Sequence, residues 1–390
     1  RTMRRGLISL LIFITLSQLS AQSLSSENLA HLYNSNEIGF RWRAVKEAGK
    51  MKVYFALSYT TKNASPEMFT IQWEDRNSYS QRQGDILKID SIKLSPNETH
   101  LGDYSVDVKD DSWLLVMNVT MVSSSRNRMF TQLIESNYPV NGRISERGQT
   151  IFDHYLTSGK SYTIDGPAKN DRLFLFYYSK DFPSPFPPFS RQTGAVDPLL
   201  LPDSSFSIAN HSTVTFSQKG LYLVQVDTNS AEGFSFRVEA GSFPKYTRIE
   251  DLVDPMVFIS TQQEFEALKK SNGDKLTFDK TVMSITRDKD RARRFMRSYF
   301  GRVEEANQLF TSFKEGWKTD QGMLYIIFGP PDEVRIASQN EIWYYKDTRT
   351  KFVFLRKGSV YDPNYLTMMR DDKYTDLWYG TIDLWRKSRF

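Results

Sequence analysis

Along the first third of the chain, apolar and polar residues alternate in short runs separated by polar turns. Ile38–Ala44 and Met51–Leu57 flank a turn at residues 46–50, and Phe69–Trp73, Ile86–Leu94 and Trp113–Val122 follow. Each run is rich in β-branched and aromatic residues, and the spacing predicts an all-β sandwich. Asn97 and Asp103 fall where turns are expected, as do Asp110 and Asp111. A second set runs from about 148 to 241, with strands at Leu173–Tyr178, Phe206–Ile208, Ser212–Phe216, Leu221–Val226 and Phe234–Val238. Between the first two of these, residues 181–203 carry six prolines. Proline donates nothing to a sheet ladder, so this stretch is an irregular loop or strap.

The texture changes after Pro244. Thr261–Lys270 predicts a short amphipathic helix and Asp288–Phe313 a long one. In the long helix Ala292, Phe295, Met296, Tyr299, Phe300, Val303, Ala306, Phe310 and Phe313 share one stripe, and Arg293, Arg294 and Arg297 point away from it. Those arginines are a solvated face or a candidate surface for an acidic partner. The expected fold is multi-domain and mainly β: two immunoglobulin-like β-sandwich domains over 22–147 and 148–246, then a smaller α+β domain over 247–390.

Residues 1–21 have the form of a secretory signal peptide. Arg1, Arg4 and Arg5 precede an apolar run from Leu7 to Leu19, and Ala21 offers a cleavage site before Gln22. The apolar core is short of the ~20 residues a membrane-spanning helix needs. The 390-residue chain has no cysteine, which excludes disulfides, thiolate metal sites and lipid attachment at a cysteine. An exported protein with sizeable cores and no disulfide fits a bacterial envelope, periplasmic or associated with the outer membrane. The net charge of +5 is small and includes the n-region arginines, so nucleic acid is not an expected partner.

The catalytic motifs sought are missing. The four histidines, His31, His100, His154 and His211, have no metal-ligand spacing. No nucleophile elbow is present, Ser242–Lys245 matches SxxK in spelling only, and Ser158–Ser161 ends like a phosphate loop without the leading glycine. Asp107, Asp110 and Asp111, or Asp227, Asn229 and Glu232, lack the order of a calcium loop. No metal, cofactor or catalytic residue is expected.

After the long helix comes Glu315-Gly316-Trp317-Lys318-Thr319-Asp320-Gln321-Gly322, then Met323–Phe328, Gly329-Pro330-Pro331-Asp332 and Glu341-Ile342-Trp343-Tyr344-Tyr345. This block, with Arg302, Ala306, Asn307 and Phe310 on the preceding helix, resembles the GWxTD domain family of Bacteroidota. Gln321 stands where the family more often carries arginine. The resemblance implies an envelope location and no established activity. The residues themselves suggest a structural motif. Gly316 would end the helix at a left-handed position, Trp317 would anchor the turn, and Thr319 and Asp320 would bond nearby backbone. Gly322 would release the chain into a strand over Met323–Phe328, which Gly329, Pro330 and Pro331 would stop. Further strands are expected at Ile342–Tyr345 and Lys351–Leu355.

The expected function is that of a non-catalytic interaction or scaffold subunit, with other envelope proteins, an outer-membrane complex among them, as partners. Arg293, Arg294, Arg297, Trp378 and Trp385 are the candidate contact residues. The alternative is a glycan-binding module or carbohydrate-active enzyme, suggested by the high aromatic content.

Overall fold

A computed structural model describes residues 23–390 except 35–36, 48, 63–64, 110–111, 135–141, 167–170, 193–199, 231–232 and 338. The signal segment, Asp110, Asp111 and Glu232 lie outside the described residues.

The chain is multi-domain and mainly β. The first sandwich is built from β1 (Ile38–Glu47), β2 (Lys50–Tyr59), β3 (Glu67–Arg76), β4 (Asp85–Leu94), β5 (Thr99–Asp107), β6 (Trp113–Met121) and β7 (Arg126–Ile134). They form sheets ordered β1-β2-β5 and β4-β3-β6-β7. Phe40, Phe55 and Leu57 from one sheet meet Phe69, Ile71, Trp73 and Leu115 from the other in a single core. Strand four sits beside strand three, not beside strand five as in constant-type immunoglobulin domains, so β4 is an edge.

The second sandwich comprises β8 (Arg143–Glu146), β9 (Gln149–Thr150), β10 (Tyr155–Thr157), β11 (Ser161–Asp165), β12 (Arg172–Tyr178), β13 (Ser204–Ala209), β14 (Ser212–Thr215), β15 (Gly220–Gln225) and β16 (Phe234–Glu239). Its sheets are β14-β11-β8-β9 and β10-β16-β15-β12-β13, with β10 running parallel to β16. Both β15 and β16 are buried along their whole length. One face of each fills the sandwich core, and the other packs on the C-terminal domain.

That domain contains α1 (Ile249–Val253), α2 (Gln262–Lys270), α3 (Lys275–Thr286), α4 (Lys289–Phe310), α5 (Asp320–Phe328) and α6 (Thr375–Arg386). Its antiparallel sheet runs β17 (Glu333–Ala337), β18 (Asn340–Tyr345), β19 (Thr350–Arg356), β20 (Leu366–Met368). Thr261 and Glu264 close a capping box on α2, and Asp288 caps α4 by accepting from the Arg291 amide. The predicted stripe is the buried face of α4, with Ala292, Phe295, Tyr299, Val303, Ala306 and Phe310 in the core.

The predicted strand over Met323–Phe328 is instead the body of helix α5. A short, unbroken apolar run does not distinguish a buried strand from a buried helix by periodicity. Thr319 decides it here, since its hydroxyl accepts from the Gly322 amide at 2.9 Å as an N-cap. The resulting helix is enclosed on all sides, which is why every residue of the run is apolar.

Residues 24–33, grouped with the first sandwich in the sequence reading, pack on the C-terminal domain. Leu24, Leu29 and Ala30 join its core. The Leu29 amide donates to the Val334 carbonyl at 2.8 Å, and Asn28 Oδ1 accepts from the Val334 amide at 3.0 Å. Tyr33 lies between Phe310 and Trp343, with ring centroids 5.4 and 4.9 Å away. On the same side Leu114, Val116 and Met129 of the first sandwich enter this core. The C-terminal domain is thus the hub on which both sandwiches dock.

Asn28→Ala leaves the buried edge of β17 without its acceptor. It should cost about 1–2 kcal/mol, the penalty for an unmet buried donor. Hydrogen exchange should show lost protection at the Val334 amide while the β1–β2 ladder is unaffected.

Candidate functional site

The glycine-tryptophan block lies where α4, the second sandwich and the proline-rich strap meet. Helix α4 stops at Phe310, and the chain doubles back so that the 3-10 turn Gly316–Lys318 lies against its last turn. Asn307 on α4 organises this return. Its Oδ1 accepts from the Trp317 amide at 3.1 Å, and its Nδ2 donates to the Pro244 carbonyl at 3.1 Å. Thr311 Oγ1 accepts from the Gly316 amide at 2.9 Å and donates to the Asn307 carbonyl at 2.7 Å.

Gly316 is therefore not the left-handed C′ residue predicted. It is glycine because a Cβ there would overlap the Ala306 carbonyl oxygen on α4. Gly322 likewise faces the Gly316 carbonyl, and it lies in the first turn of α5, not at the start of a strand. The residue with positive φ is Gly329, at 81°, where the chain leaves α5. Pro331 is buried behind it and Pro330 is exposed.

The side chains of the block all point inward. Trp317 is 3% exposed, packs edge-on to Phe258 and donates from Nε1 to the Tyr246 hydroxyl at 3.0 Å. Thr319 Oγ1 donates to the Gly316 carbonyl at 2.7 Å. Asp320 is buried and accepts from the Met368 amide at 2.8 Å and from both terminal nitrogens of Arg370. Arg370 also donates to the Phe186 carbonyl at 3.0 Å, tying Asp320 to the strap. Gln321 is turned inward as well, donating to Tyr33 and Glu341 at 3.2 and 3.3 Å.

Beside the block, a cleft of about 250 Å³ opens between the second sandwich and the C-terminal domain. Its floor is a row of alternating charges. Glu239 pairs with Arg237 at 2.6 Å, Arg237 with Glu315 at 3.6 Å, and Glu315 with Lys318 at 3.0 Å. Lys318 reaches on to Asp181 at the start of the strap. Arg237 also donates to the Phe313 carbonyl at 3.1 Å. Burial pushes the Glu315 carboxyl up, but Arg237 and Lys318 outweigh it and hold the group down at about 2. Glu239 goes the other way, because burial outweighs the pull of Arg237. Lys314, buried next to Tyr365, is drawn down by desolvation to about 8.

Chemically, this arrangement joins domains. The two carboxylates, Glu239 and Glu315, share the one Arg237 guanidinium. Among the described residues no group of three or more histidines, aspartates or glutamates could hold a metal.

The remaining sequence candidates separate into two sets. Arg293, Arg294 and Arg297 are exposed on the outer face of α4, where Arg293 pairs with Asp290 at 3.6 Å. Trp378 and Trp385 are corrected. They lie on the inner face of α6, 3% and 0% exposed, and Trp385 donates from Nε1 to the Ile327 carbonyl at 2.9 Å. Helical spacing of Trp378, Ile382 and Trp385 was the signal that placed them in the core. Asn307 was marked only through the family resemblance; Arg237, Glu239 and Arg370 were not singled out, and only the fold brings them to the block.

Two tests follow. Gly316→Ala should destabilise by about 3 kcal/mol or more, as overpacking against backbone does. Gly301→Ala, in α4 with open space around its position, should stabilise by up to about 1 kcal/mol. Because Glu315 is held near 2, below its ordinary 4.5, it contributes stability above about pH 4.5 that is lost as the pH falls toward 2. Glu315→Gln should therefore lower stability at neutral pH and flatten that acid limb in a melting series.

Comparison with known proteins finds the GWxTD domain family matching residues 220–387. No curated protein matches. Among solved structures, a transglutaminase from red sea bream aligns at 10% identity and a TM-score of 0.21, covering 53% of this chain and 32% of that one. A β-glucosidase from Kluyveromyces marxianus aligns at 16% identity and a TM-score of 0.18, covering 27% and 15%. The chain spans about a third or less of the length of either enzyme, and likenesses this slight carry no argument. The family match begins at Gly220, the first residue of β15, and so takes in β15 and also β16, which carries both Arg237 and Glu239 to the charged row. The chain contains a GWxTD domain over residues 220–387, and that domain includes the last two strands of the second sandwich.

Proposed function

We propose that this protein is a non-catalytic interaction or scaffold subunit of a bacterial cell-envelope assembly, exported through residues 1–21 and held at the outer membrane by other proteins. One observation carries the reading. The polar side chains of the family block, Lys318, Thr319 and Asp320, and the Trp317 indole are all committed to contacts within the chain. A motif spent on joining two domains builds a rigid body and leaves recognition to the outer surface. On that surface the α4 arginines 293, 294 and 297 offer a cationic face for an acidic partner. Among the described residues no helix is long and apolar enough to cross a membrane.

A second reading has its own support. Between the first sandwich and the C-terminal sheet lies another cleft of about 250 Å³, lined by Trp42 and Tyr79 with Gln132, Asn340, Arg356 and Asn364. Aromatic faces beside amide and guanidinium groups suit a sugar, so glycan binding is the alternative.

Tagged protein purified from native membranes should bring down a stable set of envelope proteins. The Arg293→Glu, Arg294→Glu, Arg297→Glu triple variant, folded by its melt, should lose at least one of them. No partner with the parent protein, or an unchanged set with the variant, would sink the scaffold reading. Binding on a glycan array that Trp42→Ala abolishes would favour the alternative.

A further inference from the structure

Strand β4 is an edge. It pairs with β3 on one side, and among the described residues no strand pairs with it on the other. Ile86, Leu87 and Ile89 on it are 50%, 38% and 46% exposed. The pairing with β3 sets the faces. Ile89 stands opposite Gln72 and Ile86 opposite Glu74, so both lie on the outer face of the sheet, and Met68, 40% exposed, lies there opposite Lys93. Lys88 and Asp90 stand opposite the core residues Trp73 and Ile71 and so lie on the inner face. Open edges with apolar side chains are templates for another strand, and natural proteins restrict that pairing with charged side chains, inward-pointing charges, bulges or proline. This edge, Asp85-Ile86-Leu87-Lys88-Ile89-Asp90-Ser91-Ile92-Lys93, has no proline, and its inner charges Lys88 and Asp90, 2.8 Å apart within the strand, leave it open only to a partner whose charges match.

The order of those residues identifies the occupant. Turned antiparallel about Ile89, the strand is complementary to itself. Lys88 falls opposite Asp90 of the second copy, Asp90 opposite Lys88, Leu87 opposite Ser91, and Ile89 opposite itself. Directly opposed residues share a face in an antiparallel pair, so inner charges meet inner charges of opposite sign and Ile89 meets Ile89 outside. Shifting the axis by one residue sets Asp90 opposite itself and Ile89 opposite Ser91, or Lys88 opposite itself and Leu87 opposite Ile89. Only the register centred on Ile89 pairs both charges. The bulge between Lys88 and Ile86, where β4 has one residue more than β3, bends the strand beyond Leu87 and limits the regular pairing to 87–91. Asp85 and Lys93 then sit near each other at its ends.

We propose that two copies of this chain associate edge to edge through β4, forming a two-fold dimer in which the β4-β3-β6-β7 sheets of both molecules become one. The proposal rests on the edge and its residue order and does not depend on the scaffold reading.

The absence of cysteine from the chain makes the test direct. Ile89→Cys places two thiols across the axis, and opposed Cβ atoms in an antiparallel pair approach to about 4.5–5.5 Å, close to what a disulfide requires. Under mild oxidation Ile89→Cys should give a covalent dimer, and Leu101→Cys, comparably exposed on β5 at 47%, should not. In sedimentation across a dilution series, the parent should be dimeric, Lys88→Asp should weaken association about tenfold, and the Lys88→Asp, Asp90→Lys swap should restore it. Ile89→Lys, with two like charges on the axis, should be monomeric with an unchanged melt. A parent that is monomeric throughout, equal cross-linking at 89 and 101, or a dimer untouched by Ile89→Lys would overturn the proposal. Because Asp90 also accepts from Trp73 Nε1 at 3.0 Å, the swap is read only in a variant whose melt matches the parent, and the cysteine pair decides the question otherwise.

Discussion

The buried carboxylate of Glu315 is the constraint on which the assembly of this molecule depends. An ion removed from water is costly unless its partners are in place, and removing one partner of a buried pair costs roughly 3–5 kcal/mol. Glu315 belongs to the C-terminal domain, Arg237 to the second sandwich, and Lys318 leads to Asp181 at the root of the strap. No one of these elements can keep its charge satisfied alone. The sandwich, the strap and the turn after α4 are therefore stable only together, in one relative placement.

Apolar packing supplies the bulk of the attraction, and the charges supply the register. Phe313 sits against Phe182 of the strap and in one cluster with Tyr178, Leu221 and Leu223 of the sandwich. Apolar contacts of this kind tolerate sliding, since burial is roughly proportional to area and not to direction. The Arg237 guanidinium, bound at once to Glu239, Glu315 and the Phe313 carbonyl, does not. The close backbone approach at Gly316 belongs to the same design, because it brings the carboxylate-bearing turn down onto α4 within reach of Arg237.

Local pattern made much of this legible. Five of the seven strands of the first sandwich, the long stripe of α4 and the extent of α2 follow from periodicity within a few residues of each element, whereas β5 and β7 were not read and Asp103, expected in a turn, lies within β5. Helix α5 was misread because an enclosed helix has no polar face to reveal its period, and Thr319, which marks its start, was assigned to a turn. Trp378 and Trp385 were taken for surface groups because the terminal segment was judged by residue type and not by spacing. The partners of the block were beyond any local reading. Asp320 and Arg370 are 50 positions apart, and Lys318 and Asp181 are 137 apart. Residues 24–33 carry no sign that they belong to a domain more than 200 positions away; only the open edge of β17, seen in three dimensions, explains them.

The treatment of sheet edges follows from the same logic of satisfaction. The edge of β17 is covered from within, by the amide of Leu29 and the side chain of Asn28, and β16 is closed by the parallel strand β10. Edges near the hub are thus paired by the chain itself, because backbone groups buried between domains have no water to bond. Strand β4, on the first sandwich and outside the hub's core, has no such internal cover. It keeps a row of backbone groups in reach of solvent, with apolar side chains on one face and alternating charges on the other. An edge left open there, on the periphery, offers its pairing capacity where it competes with none of the contacts that hold the domains together.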